Sequence, residues 1–162
     1  MNRWEYLTTK EFSIRHHITE YFIKDCDAVI DVGAYKKKLN TNGVLYTIDP
    51  LKTLEDSFHD SLYNWNIEYS EIFKYNNYAV VALGLDIEGD SNEIDTLIKL
   101  IQNSNVTIIE YATEYRNSIN QYNYILKSLI NKKESTTIHI SLPKIITDGF
   151  KPFYKRVIHV LI

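Results

Sequence analysis

Short apolar runs alternate with helix-spaced amphipathic segments along this 162-residue chain. Residues 28–32, AVIDV, and 44–48, VLYTI, are short, apolar and β-branched, as strands buried on both faces are. Residues 67–73, IEYSEIF, alternate and predict a more exposed strand. The run 78–85, YAVVALGL, is the most continuously apolar and suits the middle of a parallel sheet. A fifth strand is expected at 106–111, VTIIEY. The segments TTIHISL and KRVIHVLI supply two more, with the turn-rich PKIITDGFKP between them.

Helical spacing fills the intervals. Ile14, Ile18, Tyr21 and Phe22 predict a helix over 13–24, with Ser13 placed to cap it. Leu51, Leu54, Phe58 and Leu62 predict another over 51–62. In SNEIDTLIKLIQNS, Ile94, Leu97, Ile98 and Ile101 share one face, with Asn92 as cap and Asp95 completing a capping box. Ile119, Tyr122, Leu126 and Leu129 mark a long helix near 117–131. The class expected is α/β: a doubly wound, mostly parallel sheet of about seven strands, its last strand antiparallel, with helices on both faces.

Composition narrows the picture. The length fits one domain over 1–162, with 1–25 as an N-terminal helical lid or cap. A formal net charge of -3 argues against a general nucleic-acid binder, which needs a basic face. Cys26 is the sole cysteine, so no internal disulfide forms and a reducing, cytoplasmic setting is expected. The first residues, MNRWEYLTTKEFSIRHH, hold no apolar signal core, and no apolar run approaches the ~20 residues that span a membrane. No zinc-ligand spacing, G-x-S-x-G elbow or Walker loop is present, so no metal site is expected.

The chemistry concentrates in DAVIDVGAYKKKLNTNGVLYTIDP, residues 27–50. The first strand ends at Asp31, and Gly33 follows where a turn must bring backbone close to a ligand. The second strand ends at Asp49-Pro50. A carboxylate there offers two acceptor oxygens to the two adjacent hydroxyls of a ribose. An Asp-Pro turn that merely ends a strand reads equally well. Asp86 ends the fourth strand, beside the point where strand order reverses in open α/β sheets. Glu110, Tyr111, Glu114 and Arg116 follow at the same rim, where polar residues also commonly open a helix.

The element order, with VIDVGAY and YTIDP, resembles the class I S-adenosylmethionine-dependent methyltransferases, over nearly the whole chain. The resemblance implies a Rossmann-like fold, S-adenosylmethionine as cofactor and methyl transfer to a small molecule or modified sugar. It implies cofactor contacts from Asp31, Gly33, Ala34, Tyr35, Asp49, Pro50, Leu51 and Asp86. It also places Arg15 against the cofactor's carboxylate, Asp86 at the reacting centre, and one histidine of the 16–17 pair, His17, as a base. Ala34 and Tyr35 stand where the family commonly has further small or glycine residues, and only KKKLNTNG connects Tyr35 to strand two. The lysines at 36–38 would recruit an anionic acceptor. Few elements extend beyond the core fold, which leaves room for a second subunit to complete the site. Two alternatives stay open: a non-catalytic binding or regulatory module on the same fold, and a nucleotide-binding enzyme of another Rossmann type.

Overall fold

The computed structural model describes residues 9–34, 37–48, 57–59, 72–87, 91–142, 144 and 154–162. Among them seven strands form one sheet: β1 (Ala28–Val32), β2 (Val44–Ile48), β3 (Ser57–His59), β4 (Tyr78–Leu83), β5 (Val106–Ala112), β6 (Glu134–Ser141) and β7 (Lys155–Leu161). The order across the sheet is β3-β2-β1-β4-β5-β7-β6. The pairs β1–β2, β1–β4, β2–β3 and β4–β5 are parallel, while β7 runs antiparallel to both β5 and β6. The order reverses between β1 and β4, so their carboxyl ends diverge into a crevice there. The helices are α1 (Ile14–Ile23), preceded by a 3-10 turn at Glu11–Ser13, α2 (Ser91–Gln102) and α3 (Arg116–Ser128).

Each face of the sheet has its own core, because neighbouring strand residues point to opposite sides. Ala28, Ile30, Tyr46, Ile48, Tyr78, Val80, Ile109, Tyr111, Val157 and Leu161 pack with Leu97, Leu100 and Ile101 of α2 and with Tyr122 and Ile125 of α3. Val29, Ala79, Val81, Ile108, Ile158 and Val160 pack with Ile23 of α1, Cys26 and Leu39. Burial on both sides explains why β1 and β4 read as continuous apolar runs rather than alternating ones.

Three expectations are corrected. Within 51–62, Ser57–His59 is not helical: it pairs with β2 as the edge strand β3. Within 67–73, Ile72 and Phe73 form a helical turn, with the amide of Tyr75 donating to the Ile72 carbonyl at 3.0 Å. Ile72 is fully buried against the core that holds Tyr46 and Tyr78, so packing rather than alternation fixes the end of this stretch. The rest of 51–62 and 67–71 lies outside the described residues, as does most of the turn-rich stretch at 143–152. The third correction concerns α1. Its buried residues are Arg15, His16, Thr19 and Ile23, while Ile14 and Tyr21 are exposed; Ile18 and Phe22 only flank the core. Ser13 sends its hydroxyl back to the Lys10 carbonyl at 2.5 Å instead of capping the helix.

Candidate functional site

The crevice is built first by the turn after β1. Gly33 has φ of 74°, a left-handed conformation that L side chains rarely adopt. Its amide donates to the Ile48 carbonyl at 2.6 Å, tying this turn to the last residue of β2. A Cβ built on Gly33 would meet no atom of the described residues within 4 Å. Asp31 is buried at 2% exposure and sits in register with Thr47 and Val81 near the carboxyl end of β1. Ala34 is buried, and its carbonyl accepts from the Lys37 amide at 3.4 Å. Tyr35, Asp49, Pro50 and Leu51 lie outside the described residues.

The second wall is the loop after β4, and α3 fastens it. Gly84 turns the chain at φ 75°, and its amide and that of Leu85 donate to the Glu110 carbonyl at 2.9 and 2.8 Å. Ser118 donates its hydroxyl to the Leu85 carbonyl. The Gln121 amide group meets Ile87 twice, accepting from its N–H at 3.0 Å and donating to its carbonyl at 2.9 Å. Between these anchors, Asp86 is partly exposed and accepts from the Asn117 Nδ2 at 2.8 Å. Asp86 therefore stands at the rim with its carboxylate oriented by α3.

Behind the wall lies a buried ion cluster. The Glu110 carboxylate is fully buried and receives Arg15 Nη1 at 2.9 Å and Arg156 through Nε and, at 3.3 Å, Nη2. One of its oxygens also accepts the Gly84 amide at 2.7 Å. Burial alone would raise the Glu110 pKa, but the Arg156 and Arg15 charges and hydrogen bonds outweigh it and bring it to about 2. The Arg15 guanidinium, only 2% exposed, reaches Glu110 and the Phe12 carbonyl.

The two adjacent histidines part company because successive helical residues turn ~100° about the axis. The His17 side chain is 74% exposed and lies 3.6 Å from the Glu20 carboxylate, on the outer face of α1. His16 faces inward at 5% exposure, and its Nδ1 has no hydrogen-bond partner among the described residues. Of the other rim residues, Glu114 and Arg116 are exposed where α3 opens. Tyr111 is buried and bonds His159 Nε2 at 2.9 Å. That His159 stacks on Tyr122 at 3.9 Å and meets Glu134 at 2.5 Å, under α3 and away from the rim.

Sequence reasoning passed over Arg156, Asn117, Ser118 and Gln121. For Arg156 a signal existed. One arginine in the apolar KRVIHVLI and one glutamate in VTIIEY call for each other once both strands are buried. Among the described residues no cluster of potential metal ligands occurs, and no helix is long and apolar enough to cross a membrane.

No protein-family model matches the chain, and no curated protein matches it in sequence. Solved structures do match. A SAM-dependent methyltransferase from Archaeoglobus fulgidus aligns with a TM-score of 0.58 at 12% identity, over 98% of this chain and 96% of that one. Precorrin-6y C5,15-methyltransferase from Geobacter metallireducens GS-15 aligns with a TM-score of 0.52 at 11% identity, over 95% of this chain and 88% of that one. At such identities the likeness speaks for architecture. With the strand order and the antiparallel β7, it shows that this chain has the class I S-adenosylmethionine-dependent methyltransferase-like, Rossmann-like fold.

Proposed function

We propose that the chain binds S-adenosylmethionine and transfers its methyl group to a small molecule or a modified sugar. The observation that carries this reading is Gly33. It stands in a left-handed turn at the switch point, tied to the end of β2, and among the described residues no atom lies within 4 Å of where its Cβ would be. Such a turn fits a ligand that must approach the backbone closely, so the residues present suit the cofactor. Asp31, Gly33, Ala34 and Tyr35 would hold it along the first turn, Asp49, Pro50 and Leu51 at the end of β2, and Asp86 after β4. When bound, S-adenosylmethionine supplies an electrophilic methyl group on a positively charged sulfur.

The chain's own part is alignment and electrostatics. Holding donor and acceptor in line removes much of the entropic barrier to a two-body reaction. Asp86, oriented by Asn117, puts a carboxylate where it can favour positive charge or hold a donor group of the acceptor. His17 serves as a base only for an acceptor that arrives over the outer face of α1. Arg15 supports the site through Glu110 and the Gly84 turn. The single, buried, free Cys26 suits a cytoplasmic setting. A second copy of the chain would be one way to close the acceptor side.

One observation favours a second reading, a binding or regulatory module without turnover. The turn after β1 carries a single glycine, followed by Ala34, Tyr35 and three lysines. Conversion of S-adenosylmethionine to S-adenosylhomocysteine, followed for wild type and Asp86→Asn, separates the two. The enzyme reading expects Asp86→Asn to slow turnover at least ~tenfold, as loss of an electrostatic stabiliser does, and to weaken S-adenosylhomocysteine much less than that. Equal turnover in both proteins removes Asp86 from the mechanism. Tight binding without turnover in wild type, across acceptors, selects the module.

A further inference from the structure

The two edges of the sheet differ. At one, β3 spans only Ser57–His59, and shortness is a common way to blunt an edge. At the other, β6 runs for eight residues, Glu134–Ser141, and pairs with β7 on its inner side. Among the described residues no backbone group bonds its outer side, so alternate residues turn an N–H and a C=O outward. Every residue of β6 is exposed except Ile138 and Ile140, which are half-buried. The stretch Ser135–Ile140 holds no Lys, Arg, Asp, Glu or Pro, the residues that commonly keep an edge from pairing. Thr136, Thr137, Ile138 and Ile140 are β-branched and favour an extended neighbour.

Charge stands at the ends of this edge. Lys133 precedes β6 and pairs its backbone with Ile162. Lys144 follows β6, and Lys155 lies in register with Ser141. All three lysines are exposed. Glu134, the strand's own acid, is engaged by His159 Nδ1 at 2.5 Å. A second copy of β6, added antiparallel about a two-fold axis, would bring Lys133 of each chain toward Lys144 and Lys155 of the other. Like charges brought together across strands oppose that pairing, whereas an acidic chain is attracted at both ends.

We propose that the outer edge of β6 is a docking site for an extended segment of another protein, acidic at both ends, which joins the sheet as a further strand. Main-chain hydrogen bonds supply the affinity. Selection comes from the lysines and from the two faces: apolar side chains beside Ile138 and Ile140, polar ones beside Thr137 and His139. Strands β5 and β7 separate this edge from β1 and β4, so the site is independent of the methyl-transfer reading.

The experiment titrates the intact, isotope-labelled protein with the peptide Asp-Asp-Thr-Val-Thr-Val-Thr-Asp-Asp and follows amide exchange along β6 by NMR. Binding is expected to slow exchange at alternate amides of Ser135–Ile140 at least ~fivefold and to weaken as salt is added. The same peptide with proline throughout its central Val-Thr-Val lacks the ladder donors and is expected to bind at least ~tenfold more weakly. Lysines in place of its aspartates are expected to abolish binding. In the protein, Lys133→Glu combined with Lys144→Glu, both at exposed positions, is expected to weaken the acidic peptide ~tenfold with thermal unfolding little changed. Equal binding of acidic and basic peptides, tolerance of the prolines, or binding that leaves the β6 amides unmoved overturns the site. Sedimentation showing a dimer whose β6 amides are protected without peptide assigns the edge to a second copy and also overturns the proposal.

Discussion

Glu110 shows how far single residues shape this fold. It is fully buried between Arg15 and Arg156, with its pKa lowered to about 2 from the ordinary 4.5. The unfolded chain therefore takes up this proton near pH 4.5 and the folded chain only near 2. The stability the carboxylate contributes is complete above about pH 4.5 and is lost as pH falls through about 2. Glu110→Gln removes the buried carboxylate charge that Arg15 and Arg156 share. It is expected to cost ~3–5 kcal/mol in urea denaturation at neutral pH, and a loss under ~1 kcal/mol would contradict the assignment. Two glycines give a paired test. A Cβ on Gly43 would stand 2.4 Å from the Cys26 carbonyl oxygen and 2.6 Å from that of Asp27, both fixed backbone. Gly43→Ala is thus expected to destabilise by ~1–3 kcal/mol through overpacking. Gly33→Ala meets no atom of the described residues and is expected to carry the left-handed backbone penalty of ~1–2 kcal/mol, with any larger effect on ligand binding. Thermal unfolding that ranks Gly33→Ala as clearly the more damaging would contradict this geometry. Sequence alone named Glu110 but set it at the rim, because nothing local reports a partner as distant in sequence as Arg15 or Arg156. The same distance hides the facing of α1, whose inward residues Arg15, His16, Thr19 and Ile23 do not follow the expected apolar stripe.

At the scale of elements, the post-β4 loop and α3 act as a unit. Ser118 and Gln121 are both buried and hold Leu85 and Ile87, while Asn117 holds Asp86. Gln121→Ala removes two hydrogen bonds and leaves the Ile87 backbone unsatisfied, a cost of ~1–3 kcal/mol. Hydrogen exchange is expected to quicken at residues 85–87 first, with β1 and β5 protection retained. Faster exchange spread evenly over the sheet would contradict a local anchor. The central strands were legible because β1, β4 and the second half of β2 are buried on both faces, so their composition marks them. Their expected bounds of 28–32 and 44–48 agree with Ala28–Val32 and Val44–Ile48. Ser57–His59 was not legible. A three-residue edge strand takes its conformation from the pairing offered by β2, while Phe58 also fits the helical spacing of its neighbours.

For the whole molecule, the order β3-β2-β1-β4-β5-β7-β6 sets the crevice at the ends of β1 and β4, where the sheet's direction reverses. This architecture was readable from the alternation of elements and the terminal strand pair, since parallel strands need crossovers and the last pair did not have one. The places of the proposed cofactor residues in the fold were readable only in part. Asp31, Gly33 and Asp86 were marked by their place at strand ends, whereas the acceptor pocket depends on surfaces that no local motif encodes. The central claim is that this crevice takes the S-adenosyl cofactor. The most direct measurement is calorimetric titration of the intact chain with S-adenosylhomocysteine, which needs no acceptor and no turnover. Saturable one-to-one binding is expected well below millimolar ligand, weakened when Gly33 carries a side chain. No heat of binding at millimolar ligand, with the protein folded, would contradict the claim.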